Sequence, residues 1–514
     1  MRKSGAVLWW IVILLLGGCA SLPEGYTRTN SYAFTHYRTG RLGRLFEREA
    51  GKHPGKSGFK LIPYGQDAFT ARVAMVRLAE KSLDLQYYLW HSDKVGLVLA
   101  DEVLKAADRG VRVRILLDDI DQSGRDDLVA ALDAHPNIQI RLFNPFAHRN
   151  AHLLDFIDNL DRVNHRMHNK TIIADNALAI IGGRNIGDHY FAVSEESNFR
   201  DLDIAAAGPI VRQISNVYDH FWNGKWAVPI SALVERSYTR NDLSRIRKMM
   251  QRKMGALHFP YPLDHDAGEI RRKMVQIRDS FVWAKALYVW DDPDMMHIEA
   301  DRQKGTMIQK LQQRVKSVKK SLSIESAYFV PRPSGMAALR ELRERGVKVR
   351  VMTNSLASND VIPAHAGYAG YRKELLMNGV ELHELRPDVG AHKVVNGTLI
   401  AATLNTGLHT KAMVFDDNAV FVGSFNLDPR SAAINTEGGL YIESPKIARE
   451  VLAYMREGVK LKNSYRVVLD SRGGLAWITV IDDKVTIYHS DPKAGEWKRL
   501  KAGLIGMLPV ELQL

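Results

Sequence analysis

His168-Asn169-Lys170-Thr171-Ile172-Ile173-Ala174-Asp175 and His409-Thr410-Lys411-Ala412-Met413-Val414-Phe415-Asp416 are two copies of one pattern: a histidine, a lysine next but one to it, and an aspartate closing the apolar run that follows. Gly182 and Gly423 stand at the same offset from their histidines, and so do Asn185 and Asn426. One such string alone is a weak signal in a chain of 514 residues, but two with matched sequels are not an accident of composition.

Alternate residues on a strand share a face, so the spacing predicts that His and Lys of each copy point together into one site. Behind each lysine an apolar run ends in turn chemistry, at Asp175-Asn176 and at Asp416-Asp417-Asn418, and a second apolar run leads to Gly182-Gly183 and Gly423-Ser424. Each copy therefore reads as a hairpin. The aspartates Asp175 and Asp416 count with His168, Lys170, His409 and Lys411 as motif members, yet they occupy the turns and face away from the histidines, which argues a structural part.

The duplication reaches upstream. Ser82–Tyr87 parallels Ser321–Ser326, and Gly110–Asp118 parallels Gly346–Asn354, each glycine preceded by an amphipathic helical stretch. Strand, helix, strand order predicts an α/β fold with a largely parallel sheet. The expected organisation is a leader at 1–18, a tether at 19–63, a first domain at 64–230, a helical connector at 231–300, a second domain at 301–445 and a C-terminal extension at 446–514. In that extension Ala476–Ile481 reads as a strand, and Leu504–Leu514 as an apolar end for which core packing leads and contact with lipid is the alternative.

Two histidines from two related repeats suit displacement at a phosphodiester, one attacking phosphorus while the other protonates the departing oxygen. Lys170, Lys411, Asn185 and Asn426 supply donors for the phosphoryl oxygens. Histidines partnered by lysines give no cation site, and with no Gly-Lys-Ser loop neither metal nor nucleotide cofactor is expected.

The pattern resembles the phospholipase D superfamily, and within it the bacterial cardiolipin synthases, nearest the C type, through Met167–Lys170, Gly183–Asp188, Phe199–Asp203, Asn354–Asp360, His365–Tyr368, Gly423–Ser431 and Asn435–Glu437. The resemblance implies two tandem phospholipase D-like α/β/α sandwich domains, related by a pseudo-twofold axis with the active site between them. It implies His168 as nucleophile and His409 as acid and base. It also implies a carboxylate downstream of each motif to orient its histidine, where Asp201 and Glu437 fall. Asp203 competes with Asp201. Arg184, Arg200 and Arg430 are conceivable phosphate ligands, and His365 and Tyr368 conceivable acceptor contacts.

The first residues read as an export signal: Arg2-Lys3, an apolar run from Ala6 to Leu16 too short to span a bilayer, then Leu16-Gly17-Gly18-Cys19. Those last four resemble a lipobox, which implies cleavage before Cys19 and lipid attachment to it; an uncleaved anchor is the alternative. As the only cysteine, Cys19 leaves no intramolecular disulfide. The expected place is thus an exported, membrane-anchored lipoprotein facing the periplasm, with inner or outer membrane open.

A net charge of +13 attracts anionic partners. Phospholipids are the expected substrates, phosphatidylglycerol and either that lipid or phosphatidylethanolamine as donor, at an anionic membrane surface. No basic surface interleaved with aromatics suggests nucleic acid, and no protein partner can be named. Phosphatidyl transfer to phosphatidylglycerol leads; a hydrolase acting on lipid or nucleic acid, or a silent lipid-binding lipoprotein, are the alternatives.

Overall fold

The computed structural model describes residues 22–149, 151–262, 267–298, 305–388, 392–395, 398–401 and 405–506. Cys19 and the leader lie outside the described residues, as do residues 507–514 of the apolar end.

Each repeat is built on a mixed sheet. In the first, strands run in the order Ala227–Pro229, Ile138–Phe143, Arg112–Asp118, Ser82–Tyr87, Thr171–Ala174, Leu178–Gly182, Asp203–Ala207, Ser57–Ile62. The second runs Gly438–Glu443, Ala419–Gly423, Lys411–Phe415, Ser321–Ser326, Lys348–Asn354, Glu381–Leu385, Ser464–Leu469, Leu475–Ile481, Lys484–Tyr488. Among these, only the pairings of Ser82–Tyr87, Arg112–Asp118 and Ile138–Phe143, and those of Ser321–Ser326, Lys348–Asn354 and Glu381–Leu385, are parallel. The expected largely parallel sheet is thus corrected, because the duplicated motif is itself a hairpin and forces antiparallel neighbours.

Alternation along the hairpin strands fills two different cores. Ile172, Ala174 and Ile180 join the outer core of the first repeat, while Ile173, Ala179 and Ile181 face the other way. Met413, Phe415 and Phe421 join the outer core of the second repeat; Ala412, Val414, Val420 and Val422 join the same inner core as Ile173. This inner core holds the two repeats together. Its filling comes from the equivalent helices Pro209–Asn223 and Pro445–Gly458, each opened by proline at the first turn. Ile210, Val211, Ile214, Tyr218 and Phe221 repeat at helical spacing and are fully buried. Each such side chain contributes about 1.5–3 kcal/mol by leaving water.

Two boundaries differ from expectation. The segment 19–63 is no free tether where it is described: Arg41–Ala50 is a helix, and Ser57–Ile62 is a strand between Asp203–Ala207 and the start of Val282–Trp290. Before it, Ala33 N–H donates to Asp219 (2.8 Å), and Arg141 and Arg114 donate to the carbonyls of Thr29 and Ser31 (both 2.7 Å). The helical connector carries helices at Arg240–Gly255 and Ala267–Asp279, but also the strand Val282–Trp290. That strand pairs first with Ser57–Phe59 and then with Gly438–Glu443, so it stitches one sheet to the other.

Asp175 and Asp416 show why the motif needs them. Asp175 and Asn176 have φ of 53° and 51°, Asp416 and Asp417 of 52° and 54°, the conformation of a type I′ turn, which short polar side chains tolerate. The Asp175 carboxylate accepts the N–H groups of Glu80, Lys81 and Ser82, and Asp416 accepts those of Lys319, Lys320 and Ser321. Each thus locks its hairpin to the first strand of its repeat and lies away from the histidines. Asp175 is fully buried, whereas the Asp416 turn is open to water. Asp175→Ala is expected to cost about 3 kcal/mol of stability, read as a shifted denaturation midpoint, with activity per folded molecule unchanged; Asp416→Ala, whose amides water can reach, costs about 1 kcal/mol.

Candidate active site

His168 and His409 sit on the extended leads into Thr171–Ala174 and Lys411–Phe415, where the two repeats meet. Each lead pairs with a segment of the other repeat. Met167 bridges Thr436, and His168 N–H donates to Thr436 O (2.9 Å). Asn405–Leu408 runs parallel to Ser197–Arg200, and His409 N–H donates to Arg200 O (2.8 Å). These segments carry the carboxylates.

The consequence is a swap. His168 Nδ1 is 3.0 Å from both carboxylate oxygens of Glu437, and His409 Nδ1 is 2.6 Å from Asp201 Oδ2. The carboxylate that orients each imidazole therefore comes from the opposite repeat, not from the downstream sequence of its own. A carboxylate on Nδ1 fixes the proton there and leaves Nε2 as the reactive nitrogen. Asp203 is excluded from this role, because it is held by Arg72 (2.9 Å) and Arg184 (3.3 Å).

Lys170 Nζ donates to His168 O (2.6 Å), and Lys411 Nζ donates to His409 O (2.5 Å). Both lysines are buried, and both are driven below the ordinary lysine range, by burial first and, for Lys170, also by the charge of Lys411. Burial likewise holds His168 well below 6.5, helped by Lys170 and Lys411. His409 falls too, through burial and Lys411, but Asp201 works against the fall. Each repeat's lysine acts on the other repeat's histidine, which places both motifs in one electrostatic cluster. An anion brought between two buried ammonium groups relieves their repulsion, so the cluster is preset for a phosphodiester.

The two halves are not identical. Glu437 is pushed up to about 7 by burial, yet Ser424 and Ser431 (2.8 Å) both donate to it. With His168 Nδ1–H these donors favour its carboxylate form. Asp291 accepts the N–H of Glu437 (3.2 Å) and fixes its backbone. In the first repeat the position of Ser424 is Gly183, where an added Cβ would collide with Asp201 Oδ1. Gly183→Ala is expected to push Asp201 off His409 and lower turnover about 100-fold with the fold intact, measured as kcat beside the melting temperature. Asp201 itself stays below the usual carboxylate range: burial would raise it, but the charge of His409 and its hydrogen bond outweigh that.

Of the other candidates, Asn426 is buried and its Oδ1 makes no hydrogen bond, whereas Asn185 accepts from Leu89 N–H (3.3 Å) and donates to Tyr190 OH (2.9 Å). The arginines are committed elsewhere. Arg184 donates to the carbonyls of Ile62, Pro63 and Asp201, Arg200 to Glu325 (3.0 Å), and Arg430 to Asn164 across the repeat boundary (2.7 Å). His365 and Tyr368 are buried in a network with Arg372 and Glu384, which assigns them to packing of the second repeat. Sequence reasoning missed Tyr88, whose ring lies 4.9 Å from that of His168, and Tyr190 and Phe199, 5.1 and 5.3 Å from His409. The aromatic pair Tyr87-Tyr88 at the end of a predicted strand was the available signal for the first.

Comparison with known proteins agrees with this geometry. The family described as cardiolipin synthase, PLD-like domain, matches residues 73–222 and 311–458. Cardiolipin synthase C of Escherichia coli is 37% identical over 90% of this chain and 97% of that protein. A probable cardiolipin synthase of Bacillus subtilis is 24% identical over 79% of this chain and 66% of its own length. The solved phosphatidylserine synthase of Haemophilus influenzae superposes with a TM-score of 0.56 at 13% identity, covering 91% of this chain and 99% of that one, and so shares the fold. With the family matched in both repeats and a relative of that identity over nearly its whole length, the chain belongs to the cardiolipin synthase family of phospholipase D-like proteins.

Proposed function

We propose that this chain is a phosphatidyltransferase that moves a phosphatidyl group from a glycerophospholipid to the glycerol hydroxyl of phosphatidylglycerol, giving cardiolipin. One observation carries the reading: two imidazoles, each oriented by a carboxylate of the other repeat, share one buried cluster with two lysines. Similarity to cardiolipin synthase C over most of both chains selects the substrate.

In the first step His168 Nε2 attacks phosphorus and the bond to the headgroup oxygen breaks. His409 Nε2–H delivers its proton to that oxygen, so the alcohol leaves neutral and a phosphohistidine remains. In the second step the acceptor hydroxyl attacks phosphorus, His409 takes back a proton, and His168 departs. The order of the roles is the one the family resemblance implies, and the asymmetry of the two halves supports it. Burial and both lysines hold His168 well below 6.5, which favours the neutral imidazole a nucleophile needs, while for His409 the charge and hydrogen bond of Asp201 work against the lowering by burial and Lys411. Lys170, Lys411 and Asn426 serve the phosphoryl oxygens.

Purified protein given labelled phosphatidylglycerol, with and without phosphatidylethanolamine, is expected to form cardiolipin; phosphatidic acid as the sole product would make it a hydrolase. We further propose that it works as an exported lipoprotein attached through Cys19, a reading supported by the sequence of residues 1–19. Among the described residues no helix is long and apolar enough to cross a membrane. Cys19→Ser is expected to lose lipid labelling, and unchanged labelling would reject the anchor.

A further inference from the structure

The C-terminal helix Glu496–Gly506 leaves an apolar stripe in water. Lys498, Ala502 and Ile505 turn toward the body, half-buried where the helix packs on Ile362–Ala369. Trp497, Leu500 and Leu504, at helical spacing on the other side, are 67%, 51% and 55% exposed. This differs from the packed apolar end expected of Leu504. A helix whose apolar side faces away from its own protein is built for an interface outside it.

The helix also touches the machinery. Lys498 Nζ donates to the carbonyls of Ala357 (3.2 Å) and Asn359 (2.9 Å). The same loop begins at Asn354, whose side chain bonds both N–H and C=O of Leu408 (each 2.8 Å), the residue before His409.

The first repeat carries further exposed apolar side chains on the chain that leads to His168. Leu153 and Ile157 of the short helix His152–Asp158 are 80% and 77% exposed, and Leu160, which opens the next helix after a break at Asn159, is 43% exposed. Asp155, on the opposite side of the helix, is buried and holds it through the N–H groups of Ala147 (3.0 Å) and His148 (2.7 Å). Two turns' worth of chain beyond Leu160 comes the nucleophile. Exposed apolar side chains thus lie on the chain that leads to His168 and on the helix that bonds the loop holding Leu408.

We infer that these exposed apolar side chains, led by the stripe of Glu496–Gly506, are the membrane-docking surface of the enzyme, lying in the headgroup region of an anionic phospholipid bilayer. Charge selects the occupant: Lys501 lies 5.3 Å over the Trp497 ring and Arg499 is exposed beside it, on a chain of net charge +13. An aromatic and leucines with flanking cations is the composition of an interfacial helix. This surface rests on the transferase reading and deepens it, since docking in the headgroup region brings the enzyme to the lipid phosphodiesters it would act on.

The test uses the full chain carrying Cys19→Ser and Leu500→Cys, labelled with an environment-sensitive fluorophore, on vesicles of phosphatidylglycerol and phosphatidylcholine. The label is expected to shift to the blue and be quenched by lipids brominated on the acyl chain, more strongly than on phosphatidylcholine alone. A label that stays in water on vesicles that bind the protein, or that shifts without vesicles through self-association, overturns the proposal. In parallel, the triple change Trp497→Asp, Leu500→Asp, Leu504→Asp is expected to raise KM for vesicle phosphatidylglycerol at least about 100-fold. Turnover of monomeric short-chain phosphatidylglycerol should stay within about twofold. Equal loss on both substrates overturns docking. The fluorescence does not depend on cardiolipin being made, so failure of the transferase reading would show only in the kinetics.

Discussion

His409→Ala protein mixed with a phosphatidyl ester of 4-nitrophenol is expected to release one equivalent of nitrophenolate and then stop, while His168→Ala releases none. Nitrophenolate departs as an anion near neutral pH and needs no proton donor, so the first displacement survives without His409. The second does not, because no base remains for the acceptor hydroxyl. On ordinary phospholipid, whose alcohol leaves only when protonated, both variants should lose about four orders of magnitude or more, since members of one catalytic unit are not additive. The burst protein should carry acid-labile phosphorus on His168, read by mass spectrometry of its peptide. A burst in His168→Ala instead would exchange the two roles.

What the sequence exposes is what lies within one repeat. The hairpins are readable because apolar alternation, turn residues and Asp175 or Asp416 all fall close together along the chain. The pairing of carboxylate with imidazole is not, because position downstream of a motif says only that Asp201 and Glu437 lie near the same sheet end. Which histidine each meets is decided by backbone pairing between the repeats, Ser197–Arg200 with Asn405–Leu408 and Met167 with Thr436. No local preference encodes contacts across 208 and 269 positions. The strand Val282–Trp290 escapes for a different reason: buried Ala284 and Tyr288 alternate with exposed Lys285 and Leu287 between them, but the basic helices before it set the reading of the whole connector. The arginines near the motifs show the limit of proximity, since Arg184 is taken up by backbone carbonyls and by Asp203.

The crossed pairing makes a prediction that a pairing within each repeat reverses. Asp201→Asn is expected to behave as a weakened His409 variant, keeping the nitrophenolate burst, and Glu437→Gln as a weakened His168 variant, losing it. Each should cost about three to four orders of magnitude in turnover, the scale seen when an orienting carboxylate is replaced by an amide that permits the wrong tautomer. The pH profile gives a second reading. His409 must be protonated for the first step, so that step fails as pH rises through its pKa. Burial and Lys411 already lower that pKa, and Asp201 alone among its close partners raises it. Removing the Asp201 charge therefore moves the alkaline limb of kcat to lower pH. Glu437→Gln acts on a histidine that is neutral throughout, because burial and both lysines hold His168 well below 6.5, and should leave that limb in place. If Asp201→Asn abolished the burst while Glu437→Gln kept it and moved the limb, each carboxylate would serve the histidine of its own repeat, and the exchange of partners across the cleft would be wrong.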